Sequence, residues 1–429
     1  MIVRPTFWLS ACIIAGSVVG GPCLAQPSTS EQVRPLAATL TESLRGAERV
    51  SLRTALDAAW QRAVVAREAE GRLRRADAER LASQSIVAAP PSVTLSHSDD
   101  RLHKNNGTRE TELGVTLPMW LPGQRDAHQR ATAAAVVQAQ FAEQAARLQL
   151  AGELREHAWT WATLAAEVAQ AEVQVQLLKR LADDVERRVR SGELARSDAL
   201  AAQAERLAAE AVLADTQQHL TLAHARWAQL TGLTAVPDLV SGTGLETAAE
   251  LTMSEHPEVQ SAIQNSEMAR RQVELTRHSG RDAPEITIGI RQNQAGSGSP
   301  TESSFVVGLR MPFGGDARNR PLESAALAEL DVAQTRLQRL HERLKSDASL
   351  TRDAVRAAEL QREATTKRAR LLRERAELIG KSFEAGETPL PDLLRALAAA
   401  AEAEAALARH SAALGLARAR LQQALGLLP

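Results

Sequence analysis

The sequence predicts a mostly α-helical chain with two short pairs of β-strands, built as one helix–strand–strand–long helix–helix module given twice. Three observations predict it. From the second predicted strand of each half to the end of the chain, residue i resembles residue i+194 without a gap: Gly114 meets Gly308, Pro118 meets Pro312, Leu177 and Leu178 meet Leu371 and Leu372, Asp198 meets Asp392, and Gly232 meets Gly426. A repeat of this length is a duplicated module rather than a short solenoid unit. The stretch 124–190 contains no proline and one glycine, Gly152, as a single long helix requires. In front of that stretch the apolar period switches to two, as a half-buried strand requires.

The elements follow in chain order. Residues 1–25 have the anatomy of a secretory signal: Arg4, an apolar run from Phe7 to Val19, and small residues ahead of Gln26. Both cysteines, Cys12 and Cys23, fall inside it, so the exported chain is expected to hold neither disulfide nor thiolate metal site. Leu9-Ser10-Ala11-Cys12 offers a rival lipoprotein cleavage box. Residues 26–50 are polar and read as an extended segment. The first repeat is then expected over 51–232, an inter-repeat linker over 233–253, and the second repeat over 254–429.

Within the first repeat, Ser51 caps a helix expected to run to about residue 88, where Pro90-Pro91 ends it. Val93, Leu95 and His97 alternate with polar residues, and after a polar loop Leu113, Val115 and Leu117 do the same until Pro118. One helix of about 68 residues, roughly 100 Å long, spans 123–190. Ser191-Gly192 breaks it, and a helix over 197–230 follows, closed by Gly232. The second repeat gives a helix near 254–282, strands around Ile286–Ile290 and Phe305–Met311, a long helix over 319–385, and a last helix over 389–427. The first strands match best at an offset of 193, so one residue of difference lies in the hairpin loop; a one-residue slip would turn every side chain to the wrong face.

Composition excludes several functions. With 51 Lys and Arg against 52 Asp and Glu, the chain lacks the basic footprint of a nucleic-acid binder. No stretch beyond the signal reaches ~18 consecutive apolar residues, so no transmembrane helix is expected. No H-E-x-x-H spacing, serine elbow or phosphate loop occurs. His97 is isolated, and His219 and His224 stand five apart, a poor helical chelate. No catalytic residue, cofactor or metal site is expected.

The strands carry the positive signal. Each is ~8–9 residues, near the length of a tilted outer-membrane strand. Four strands with open edges cannot stand in lipid, because unpaired backbone groups there are costly. Several chains closing one barrel would remove the edges, and three chains would supply twelve strands.

The element order, given twice, resembles the TolC family of bacterial outer-membrane efflux proteins over nearly the whole exported chain. The Leu-Pro-Met-Trp and Met-Pro-Phe segments after the second strands resemble its CzcC-like heavy-metal branch. The resemblance implies a homotrimer in outer-membrane lipid, with a twelve-stranded β-barrel continuous with a twelve-helix periplasmic α-barrel. It implies partners too: a periplasmic adaptor and an inner-membrane transporter of the RND type. The turns 188–200 and 381–394 would be the periplasmic tips, with Ser191, Gly192, Glu193, Ser197, Gly386, Glu387 and Pro391 at the adaptor dock and Asp198, Asp392 and Arg395 at the gate. Asp392 matches a position of an acidic ring in drug-exporting relatives, but the next acidic position of that pattern is Arg395 here, so an Asp392–Arg395 ion pair is the alternative. From the residues alone, Gly192 and Gly386 are helix C-terminal glycines with φ > 0, and Asp198 and Asp392 sit at a positive helix end. Trp120 and Phe313 read either as membrane-interface anchors or as packing at the strand–helix junctions. The duct reading competes with a periplasmic coiled-coil adaptor or scaffold without a channel.

Overall fold

The computed structural model describes residues 48–102, 105–239 and 253–429. The signal at 1–25 with its cysteines, most of the segment 26–50, His103 and residues 240–252 of the expected linker lie outside the described residues.

Strand β1 (Arg49–Ser51) leads into helices α1 (Leu52–Arg62) and α2 (Val64–Ala82). The hairpin β2 (Ser92–Asp99) and β3 (Arg109–Pro118) precedes α3 (Gln124–Arg190), α4 (Arg196–Thr231) and β4 (Val236–Asp238). After a 3-10 turn at Met253–Glu255 come α5 (Pro257–His278), β5 (Glu285–Gln294), β6 (Glu302–Arg310), α6 (Asp316–Glu384) and α7 (Leu390–Ala424). Helices α3 and α6 have 67 and 69 residues. At 1.5 Å per residue each is about 100 Å long.

The first helix departs from the expectation of one element over 51–88. Ser51 caps it as expected, its Oγ accepting the Thr54 N–H at 3.2 Å. Ala63 then takes an extended conformation (φ −68°, ψ 134°) that splits the element in two. The two pieces serve different partners. Ala55, Leu56 and Ala59 of α1 enter a core with Leu150, Ala151, Leu154 and Ala158 of α3 and Trp227 of α4, whereas α2 packs chiefly along α3. Helix α2 also ends before the prolines. Ser83 Oγ donates to Arg80 O (2.7 Å) and Ser85 Oγ to Val87 O (2.9 Å), and such local bonds compete with the helical ladder.

The expected extended segment and linker hold a pairing that the sequence does not announce. Strands β1 and β4 run parallel, with Val50 opposite Pro237. Trp227, fully buried, donates from Nε1 to Ala235 O at 2.9 Å and fixes the approach to β4. Strand β6 stops at Arg310 rather than at Met311.

The helices form one layer at two levels, because α3 and α6 are long enough to pass from one to the other. Beside the N-terminal part of α3 the contact order is α2–α3–α5–α6, and beside its C-terminal part it is α4–α3–α7–α6. Small residues permit the close approach: Ala127, Ala131, Ala139, Ala145, Ala151, Ala158 and Ala182 are the buried alanines of α3. Between the levels, Arg155 of α3 is 2% exposed and has no carboxylate partner among the described residues. It donates to Gln423 Oε1 (2.6 Å) and Leu427 O (2.8 Å), tying the end of α7 to the middle of α3. Burial pulls its pKa down to about 10.

The second sheet has strand order β2–β3–β5–β6, antiparallel throughout. Val93 faces Val115 in the first hairpin, and Ile286 faces Leu309 in the second. The first strands are therefore offset by 193 and the second by 194.

Candidate functional site

The sheet separates its side chains by chemistry. On one face, Val93, Val115, Ile288 and Val307 form a row across all four strands, and Leu95, Leu113, Ile290 and Phe305 form the next. Leu117, Ile286 and Leu309 form a third. Among the described residues nothing covers these rows: Val93 is 71% exposed, Phe305 70% and Leu309 65%. Single exposed apolar residues need no explanation, but a contiguous patch marks an interaction surface. Beyond Phe305 the next row is His97, Thr111, Gln292 and Ser303, which ends the apolar band. His97 is exposed and its Nδ1 lies 2.8 Å from Thr111 Oγ1.

Apart from Val306 and Pro118, the opposite face is polar or glycine. Arg291 reaches Glu110 at 3.1 Å and Glu112 at 2.9 Å, and Thr116 pairs with Thr287 at 2.9 Å. Gly114 lies opposite Gly289. A Cβ on Gly289 would stand 2.6 Å from Leu113 O, so the central strands require glycine there.

Where the strands hand over to the long helices, the two halves differ. Trp120 is half-buried, donates from Nε1 to Ser85 O (3.1 Å), and lies 5.7 Å from the His128 ring. Phe313 is 85% exposed.

The far ends of the long helices form two turns. Gly192 (φ +84°) and Gly386 (φ +79°) are both left-handed, as the C-terminal glycine of a helix requires. Ser191 stands before the first and donates from Oγ to Glu193 Oε1 at 3.1 Å. Asp198 of α4 accepts the Ala195 N–H at 3.2 Å. Asp392, at the equivalent place in α7, pairs instead with Arg395 at 2.9 Å. The N-cap residue there is Pro389, which has no N–H to donate. Ser197, Glu387 and Pro391 are exposed.

The turns are brought together by a shared core. Ala182, Val185, Ala202, Phe383, Leu390 and Leu393 form one buried cluster across α3, α4, α6 and α7. Arg188 lies over the Phe383 ring, 5.1 Å from its centroid, and pairs with Asp184 at 3.1 Å. Sequence reasoning missed this contact, whose only signal is an aromatic residue in an aromatic-poor chain. Among the described residues, no group of three or more His, Cys, Asp or Glu is placed to hold a metal, and no helix is long and apolar enough to cross a membrane.

The layer has a consistent handedness of free edges. Helices α2 and α4 and strand β2 bound one side; α6 and β6 bound the other. Exposed apolar side chains stand on both: Leu200, Leu207 and Val212 on α4, and Leu350, Leu360 and Leu371 on α6.

This fold is shared with solved outer-membrane channel proteins. The chain shares it with CusC at a TM-score of 0.72 and 15% identity, over 88% of this chain and 92% of that one. It shares it with VceC of Vibrio cholerae at 0.68 and 17%, over 87% and 96%. For the MtrE channel of Neisseria gonorrhoeae the values are 0.68 and 16%, over 88% and 89%. At these identities the likeness is one of fold. No protein-family model and no curated protein sequence matches the chain.

Proposed function

We propose that this chain is a TolC-family outer-membrane channel, a passive duct rather than an enzyme, and the outer component of a tripartite efflux system. Its cargo, heavy-metal cations or drugs, would be delivered by an inner-membrane pump of the RND type through a periplasmic adaptor. The observation that carries this reading is the matched pair of free edges. Strand β2 and helices α2 and α4 lie on one side, and β6 and α6 on the other. A contact of one side with the other side of a second copy is heterologous, and a three-fold rotation closes it into a ring. Three copies give twelve strands and twelve helices at each level. Closure pairs the β2 and β6 edges, which lipid demands, and turns the apolar rows outward. The apolar positions Leu113, Val115 and Leu117 lie along a ten-residue strand, the length that a tilted outer-membrane strand needs.

In this assembly Trp120 and Phe313 stand at the membrane's helical side. The turns with Ser191, Gly192, Glu193, Ser197, Gly386, Glu387 and Pro391 form the adaptor dock, and Asp198, Asp392 and Arg395 border the gate. The expected result is a heat-resistant trimer in outer-membrane fractions that conducts ions in planar bilayers. Recovery as a soluble periplasmic monomer would sink the proposal and favour a coiled-coil scaffold. Val115→Asp or Leu309→Asp separates the two as well. A lipid-facing position loses about 2 kcal/mol or more and with it assembly, while a solvated strand tolerates the change.

A further inference from the structure

We propose that the upper helical level carries an anion-binding station, formed by Arg336, Arg339 and Arg343 of α6 together with Arg72 of α2. The station holds carboxylate, sulfonate or phosphate groups of the cargo. The inference rests on the duct reading for its place on the conduit wall, but the cleft itself stands on geometry.

A cleft of about 710 Å³ is lined by side chains from α2, α3, α5 and α6 together. In the duct reading, the side of the layer that faces the conduit is the one that carries this four-helix cleft. Its floor is alanine, Ala139, Ala142, Ala145 and Ala146 of α3 and Ala262 of α5 among them, so no large side chain fills it. The volume suits a drug-sized ligand.

The charges in the cleft do not balance. Four guanidinium groups face two carboxylates, Glu68 and Glu258. Glu68 pairs with Arg72 at 3.1 Å and Glu258 with Arg343 at 2.9 Å, and Asp347, outside the cleft, also reaches Arg343 at 4.0 Å. Arg339 turns to Glu342 on its own helix at 3.0 Å. Arg336 has no ion-pair partner among the described residues, and it lines this cleft and the adjoining one. Residues 336, 339 and 343 share one helical face by their spacing. Toward the sheet the lining changes sign, with Glu79 and Glu329 in the adjoining cleft of about 690 Å³. A closed trimer presents these four arginines three times. Guanidinium forks match planar or tetrahedral oxyanions through paired N–H donors. Exposed ion pairs such as Arg339–Glu342 are weak enough for an incoming oxyanion to exchange them. Divalent cations are repelled at this level, so the station favours drugs or metabolites bearing anionic groups over bare metal ions.

The test uses the full-length protein and a fluorescent pyrene trisulfonate. Anisotropy in detergent is expected to show salt-sensitive binding. In planar bilayers the probe, added from the helical side, should block current reversibly. In Arg336→Gln/Arg339→Gln/Arg343→Gln, both the dissociation and half-blocking concentrations should rise roughly tenfold or more. Arg336→Gln alone, which breaks no ion pair, should shift both by a smaller factor in the same direction. Binding and block unchanged by these variants, or no binding to the wild-type protein, overturn the station. Binding that the variants weaken, in a protein that conducts nothing, keeps the cleft and overturns the duct.

Discussion

The two turns at the ends of the long helices begin from the same backbone and end in different chemistry. Each has a left-handed glycine, Gly192 or Gly386, and a carboxylate three residues into the returning helix, Asp198 or Asp392. The residue before the helix decides what that carboxylate does. Ala195 offers an N–H, and Asp198 takes it. Pro389 offers none, and Asp392 turns to Arg395. Burial differs as well. The second turn sends Phe383, Leu390 and Leu393 into the shared core, whereas the first leaves Leu200 59% exposed. Equivalent positions in a repeated chain thus share a conformation without sharing a task. In the second turn a carboxylate is released from capping while the surrounding chain is anchored by packing.

The largest expected effect comes from breaking that anchor. Phe383→Ala removes a buried ring and the surface on which Arg188 stacks, at a cost of about 3–5 kcal/mol. Val189→Ala, at the equivalent place in the first half and only half-buried, should cost clearly less. Thermal unfolding and protease nicking at the turns would rank them, and equal losses would contradict the asymmetry. The glycines should behave alike. Gly192→Ala and Gly386→Ala meet open space, so each pays only for its positive φ, roughly 1–2 kcal/mol. A large difference between them would mean that the turns do not share a backbone.

The carboxylates should part company. Asp198→Ala loses a cap and should destabilise the start of α4 by about 0.5–2 kcal/mol, seen as faster amide exchange there. Asp392→Ala gives up only an exposed pair and a favourable helix end, at most about 1 kcal/mol. In the proposed duct its effect should appear in single-channel conductance, and an unchanged conductance would overturn the proposal that Asp392 borders a gate. Smallest in energy and sharpest in meaning is Pro389→Ala. It restores the missing N–H, so Asp392 should leave Arg395 and cap α7. Protection of the new amide, lost again in Pro389→Ala/Asp392→Ala, reports that switch.

Much of this arrangement is legible in the sequence, for local reasons. A 67-residue helix is readable because nothing in 124–190 can stop one. The strand register is readable because apolar residues repeat every second position. Asp392 and Arg395 are readable as a pair because three residues is the spacing of neighbours on a helix. What escapes depends on distant partners. Strands β1 and β4 have three residues each, too few for a period. The break at Ala63 is set by which helices α1 and α2 touch, and Ala63 carries no breaker's chemistry. Arg188 and Phe383 meet only because four helices converge at the turns. The arginine cleft needs the neighbour order α2–α3–α5–α6, which no single segment records.

The short parallel pair of β1 and β4 has a consequence for how the molecule comes into being. It fastens the start of α1 to the chain just beyond α4, so its two strands bracket the whole first half. Closing so long a loop is slow but costs little more than closing one half its length. A chain delivered in order from its N-terminus reaches Asp238 before any of the second half has arrived. The first half can then be fastened shut on its own, with the Trp227 core complete, and serve as the surface on which α5, α6 and α7 assemble. The clasp separates two similar halves in time, and gives like segments less opportunity to pair with the wrong copy of themselves.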